Sequence, residues 1–118
     1  MKKVYVSTPV NARGEGCFEA KYRAARKRAR AVAAEYEKAT GEMAEFVFFF
    51  ELAALGRNTE AEAMGKCIQG VLESDALLLD DTCTEADWKH SKGCRTEVFA
   101  ARQYGKSVIL ASEVMRDR

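Results

Sequence analysis

The chain has no apolar stretch near the roughly 20 residues that a membrane-spanning helix needs, and Lys2 and Lys3 lead straight into a strand pattern without a secretory leader. The expectation is a cytoplasmic protein with no membrane partner. An excess of one charge is also missing: 19 Lys and Arg stand against 18 Asp and Glu, a formal net charge of +1. No global field favours nucleic acid, so any charged partner needs a local patch. The four cysteines, Cys17, Cys67, Cys83 and Cys94, contain no Cys-x-x-Cys pair and read as free thiols. Cys83, His90 and Cys94 could surround one loop, but no fourth ligand follows at a zinc-site spacing, and no metal is expected. A Gly-x-Gly-x-x-Gly fingerprint is absent. The one loose match to a phosphate-binding loop, Ala100 to Ser107, closes a helix and opens a strand, the reverse of what anion binding requires.

What is present fits one domain, since 118 residues suffice for a single core but not for two. Lys2 to Thr8 alternates, carries β-branched and aromatic residues, and meets Pro9, which predicts a first, central strand. Phe18, Tyr22, Ala25, Ala29, Val32 and Tyr36 recur in steps of four and three, a helix from Cys17 to about Ala39 that Gly41 ends. Its cations, Lys21, Arg23, Arg26, Lys27, Arg28 and Arg30, read as a solvated outer face, with phosphate or RNA contact as the alternative. Phe46 to Phe50 suits a buried strand, or the start of a helix through Leu55. Thr59-Glu60-Ala61-Glu62 has the form of a capping box and starts a helix that ends at Ser74. Ala76 to Leu79, bracketed by Asp75 and Asp80, suits a parallel strand buried on both faces. After the long loop Asp81 to Lys92, a helix from Gly93 to Tyr104 and a strand from Ser107 to Ala111 complete the pattern, with Glu113 to Arg118 as a polar tail or helical turn. Strands alternating with helices imply α/β architecture: a four- or five-stranded parallel sheet, right-handed crossovers and helices on both faces.

In such a sheet ligands bind beyond the carboxyl ends of the strands. Glu97 is the first candidate for chemistry there, near a helix N-terminus with Gly93 four residues before it and Val98, Ala100 and Ala101 beside it. The helix dipole is expected to keep it ionised while apolar neighbours withdraw it from water, which are properties of a nucleophile at a sugar carbon. Asp80 and Asp81 are expected to face the same crevice, Asp80 as a proton relay or an anchor for a sugar hydroxyl. His90, the only histidine, sits in the adjoining loop beside Ser91.

The blocks Val4-Tyr5-Val6-Ser7-Thr8-Pro9, Met64-Gly65-Lys66-Cys67-Ile68, Ser74 to Leu79, Trp88, Ser91-x-Gly93-Cys94-x-x-Glu97, Ala100-Ala101 and Tyr104-Gly105-Lys106 resemble the DUF4406 family. That family is similar to the nucleoside 2-deoxyribosyltransferases. The resemblance implies a three-layer flavodoxin-like or Rossmann-like domain and a homo-oligomer with pockets near subunit contacts. It also implies a small-molecule nucleoside or nucleotide as ligand and no cofactor. By the same resemblance Glu97 attacks the anomeric carbon, Tyr5 lies close to it, and Ser7, Thr8, Pro9, Trp88, His90, Ser91 and Gly93 hold the substrate, with Trp88 either closing the pocket or packing on the loop. Ser91 stands where the transferases commonly have aspartate, Thr8 where they have glycine, and Cys67 near their base-reading aspartate. Two expectations follow: an N-glycosidic bond enzyme, or a non-catalytic nucleotide-binding module on the same fold. The stripe Tyr22, Ala29 and Tyr36 is expected to pack subunits as well as cover the sheet.

Overall fold

The computed structural model describes residues 1–10, 17–53, 58–84 and 86–115. In chain order they form β1 (Lys2–Ser7), α1 (Phe18–Thr40), β2 (Ala44–Phe48), α2 (Phe49–Ala53), α3 (Glu60–Glu73), β3 (Ala76–Leu79), a 3-10 turn (Trp88–His90), α4 (Lys92–Gln103), β4 (Ser107–Leu110) and α5 (Ala111–Met115). The four strands are all parallel in the order β2-β1-β3-β4. Because α1 packs on α5, and α3 on both α2 and α4, helices cover the sheet from two sides in a three-layer, flavodoxin-like α/β arrangement. No helix among the described residues is long and apolar enough to cross a membrane.

The two inner strands are the most thoroughly apolar. Ala76 to Leu79 of β3 are all buried, as are Val4, Tyr5 and Val6 of β1, the pattern of parallel strands covered on both faces. Across the α1 face the stripe Ala25, Ala29, Val32, Ala33 and Tyr36 is buried, and Gly41 ends the helix with φ 70° in the left-handed region that only glycine adopts freely. The capping box at α3 forms in full: Thr59 Oγ1 accepts from the Glu62 N–H at 3.1 Å, while Glu62 accepts from the Thr59 N–H at 3.2 Å. Such caps contribute about 1 kcal/mol each.

Three sequence expectations take definite form. The run Phe46 to Phe50 divides: Phe48 ends β2 and Phe49 begins α2, where Phe49 and Ala53 share a buried face one turn apart. Leu55, where the alternative helix would have ended, lies outside the described residues, as do the last three positions of the tail. The described part of that tail is α5, which packs on α1 and buries Ala111 completely, with Val114 and Met115 against the core. Finally, Ala29 and Tyr36 are covered within this chain and Tyr22 is packed against the core, so the stripe covers the sheet, one of the two roles expected of it.

Candidate active site

Strand alternation places the site. In β1, Tyr5 and Ser7 are two residues apart and share one face of the sheet, the face covered by α3 and α4. From α4, Glu97 reaches back to both: the Tyr5 hydroxyl donates to Glu97 Oε2 at 2.6 Å, and the Ser7 hydroxyl donates to Oε1 at 2.7 Å. Each carboxylate oxygen thus has one neutral donor and keeps lone-pair capacity for another. Glu97 is only 5% exposed.

Burial pushes the Glu97 carboxyl up to about 7 from its ordinary value of 4.5, against the lowering effect of the Tyr5 and Ser7 hydrogen bonds. This corrects the expectation that the helix dipole holds Glu97 ionised. Glu97 is the sixth residue of α4, beyond the first turn in which the dipole acts, so desolvation prevails. The Tyr5 hydroxyl is driven well above 10, first by burial and then by the neighbouring Glu97 charge, so Tyr5 holds its proton and serves as a donor.

Glu97 opens into a cleft of about 600 Å³, within the range of small-molecule sites. One wall is aromatic: Phe18 stacks on Tyr22 with centroids 6.0 Å apart, and Tyr22 meets Phe49 edge-on at 5.7 Å. The other is the start of α4, where the Ser91 hydroxyl caps the helix by accepting from the Cys94 N–H at 3.3 Å. Gly93 also lines the cleft, opposite Met64. Thr8 lines the cleft from the end of β1, and its buried Oγ1 has no hydrogen-bond partner. At the mouth, His90 is exposed and its Nε2 stands 3.9 Å from Asp87, while Lys92 pairs with Glu60 at 3.3 Å. Thr8, His90, Ser91, Gly93 and Glu97 therefore line one cleft, with Tyr5 and Ser7 immediately behind the carboxylate.

Asp80, Trp88 and Pro9 are placed elsewhere. Leu79 is in register with Ser7, so the next residue, Asp80, turns to the opposite face of the sheet from Glu97. There Asp80 is fully buried and accepts from Arg28 Nε at 2.5 Å and Nη2 at 3.1 Å and from the Thr82 hydroxyl at 2.9 Å. It anchors α1 and is no relay for Glu97. Asp81 likewise caps α5, accepting from the Ser112 N–H and hydroxyl. Trp88 packs against the core and borders a separate groove with Arg95, Phe99 and Arg102. Pro9 is buried and does not line the cleft.

Two cysteines that border Glu97, Cys94 and Cys67, are not among the site residues expected from the sequence. Cys94 lies three residues before Glu97, on the same face of α4, and that spacing was the available signal. Its thiol is pushed up to about 12 by burial and by the Glu97 charge. Cys67 of α3 is likewise raised, chiefly by burial. Both are protonated at neutral pH and form apolar walls rather than nucleophiles. No group of three His, Cys, Asp or Glu among the described residues could hold a metal ion. Set against protein-family models, curated proteins and solved structures, the chain has no match in any of the three.

Proposed function

We propose that this chain breaks the N-glycosidic bond of a nucleoside or nucleotide, with Glu97 as nucleophile. The reading is supported chiefly by one observation: a buried carboxylate on the wall of the cleft whose two oxygens are each oriented by a neutral hydroxyl. In the reaction a Glu97 oxygen bonds to the anomeric carbon, the carbon–nitrogen bond breaks, and its electrons leave with the base. Water or a second base then attacks the anomeric carbon from the face that the first base left, opposite Glu97, its proton passing to the released base, and the carboxylate is returned. With its pKa near 7, Glu97 is about half ionised at neutrality, and the neutral Tyr5 and Ser7 donors hold the ionised form without cancelling its charge. The aromatic wall suits a planar base, and the unpartnered Thr8 hydroxyl suits a polar group on the sugar side.

A second reading, a nucleotide-binding module without turnover, is favoured by the position of Asp80. Pairing with Arg28 on the far face removes the acid expected to assist departure of the base. Chromatographic detection of free base separates the two, using wild type and Glu97→Ala with deoxynucleosides and their 5′-monophosphates. Glu97-dependent release is the expected result. Ligand-induced thermal stabilisation with no release across the panel supports the binding module instead.

A further inference from the structure

A concentration of positive charge lies outside the cleft, on α1. Along α1, Arg23, Arg26, Lys27 and Arg30 fall within little more than two turns, while the whole chain carries a net charge of only +1. Arg23 pairs with Glu19 at 3.7 Å. Arg26 and Arg30 do not pair: among the described residues neither makes a hydrogen bond or an ion pair. Both instead lie over one ring, that of Phe50, at 5.2 Å and 4.9 Å from its centroid. Phe48 stacks beneath that ring at 5.1 Å and nearly parallel, so the platform is fixed from the sheet side.

This arrangement carries two uncompensated costs. Like charges four residues apart on a helix repel. In addition, Arg26 Nε is buried with no acceptor, an unmet donor on a charged group. Stacking on the ring rewards each cation but does not screen one from the other. A tetrahedral dianion lying between the two guanidinium groups screens the repulsion and accepts from their terminal N–H groups, in the planar, multi-donor geometry for which arginine suits phosphate.

We infer that Arg26 and Arg30, stacked on Phe50, form an anion site that takes a phosphate group. The site is independent of any chemistry at Glu97. It adjoins the cleft's aromatic wall, because Phe49 meets Phe50 edge-on at 5.5 Å and Arg26 acts electrostatically on the Tyr22 hydroxyl one turn away. A phosphate here is either a free ion or the tail of a molecule whose other end enters the cleft.

The side-chain Nε–Hε resonances of Arg23, Arg26 and Arg30 provide the test, followed in the full chain during titration with inorganic phosphate and with sodium chloride at matched ionic strength. Arg26 and Arg30 are expected to shift together and saturate with phosphate alone, while Arg23 follows only ionic strength. Arg30→Gln should weaken the half-saturation at least tenfold. Phe50→Leu, which keeps both charges but removes the platform, should weaken it severalfold. Shifts of Arg26 and Arg30 no larger than that of Arg23, or saturation unchanged in Arg30→Gln, would overturn the site. If it stands, comparing inorganic triphosphate with a nucleoside triphosphate identifies the source: equal affinity marks a free ion, and tighter binding of the nucleotide marks a ligand tail.

Discussion

The two faces of the sheet each bury a carboxylate, and they compensate it in different ways. On the α1 face Asp80 meets the guanidinium of Arg28, so charge answers charge. On the α4 face Glu97 meets only the neutral hydroxyls of Tyr5 and Ser7. The first arrangement fastens a helix to the end of β3. The second leaves a carboxylate whose charge is incompletely compensated, at the wall of a cleft, with its pKa displaced toward neutrality. A buried carboxylate with a displaced pKa at the wall of a cleft is the kind of group that marks a functional site.

The contrast predicts opposite responses to removing either charge. Arg28→Ala leaves Asp80 buried and unpaired and should cost about 3 kcal/mol, the low end for a buried pair because Arg28 is partly exposed. Urea denaturation at neutral pH measures it, and a loss below about 1 kcal/mol would erase the distinction between the faces. Glu97→Gln should instead stabilise the fold at high pH. Folded Glu97 titrates near 7 and the unfolded residue near 4.5, so the folded state binds more protons between those values. Its contribution is fully present below pH 4.5 and lost as pH rises through 7, by at most about 3 kcal/mol. The stability gap between Glu97→Gln and wild type should therefore widen from pH 5 to pH 8. A gap that stays constant contradicts the assignment.

Smaller effects sharpen the α4 face. Tyr5→Phe removes a donor that lowers the Glu97 pKa, so the midpoint of the Glu97 titration should move above 7, by roughly one unit for a lost hydrogen bond to a charged group. Gly70 of α3 tests the same contact more gently. A Cβ there would come within 3.3 Å of the Tyr5 ring and 2.5 Å of Leu52 Cδ1. Gly70→Ala should push the ring aside and raise the Glu97 midpoint by a few tenths of a unit, with no further change in a Tyr5→Phe background. An equal shift in both backgrounds would show that Gly70 does not act through Tyr5.

Much of this architecture is legible in the sequence. The inner strands declared themselves through Ala76 to Leu79 and Val4 to Val6, and Thr59 and Glu62 marked the start of α3, because burial pattern and capping are local properties. Within the site, Tyr5, Thr8, His90, Ser91, Gly93 and Glu97 are brought to one end of the sheet as anticipated. Asp80 was misplaced through a matter of parity, since a single step along β3 reverses the face, and the cross-strand partner of Leu79 cannot be read from one strand. Trp88 depends on how a long loop folds back on α4, which no local pattern specifies. The ionisation of Glu97 is set by depth of burial, a tertiary quantity that its closeness to a helix start in the sequence does not reveal.

The central claim is best tested by a carbon-13 NMR titration of the Glu97 side-chain carboxyl in the folded protein, assigned by comparison with Glu97→Gln. A single transition centred near pH 7, moving upward in Tyr5→Phe, is the predicted result. A midpoint at or below 4.5, unaffected by Tyr5, would contradict the account in which burial against neutral hydroxyls alone sets the ionisation of Glu97.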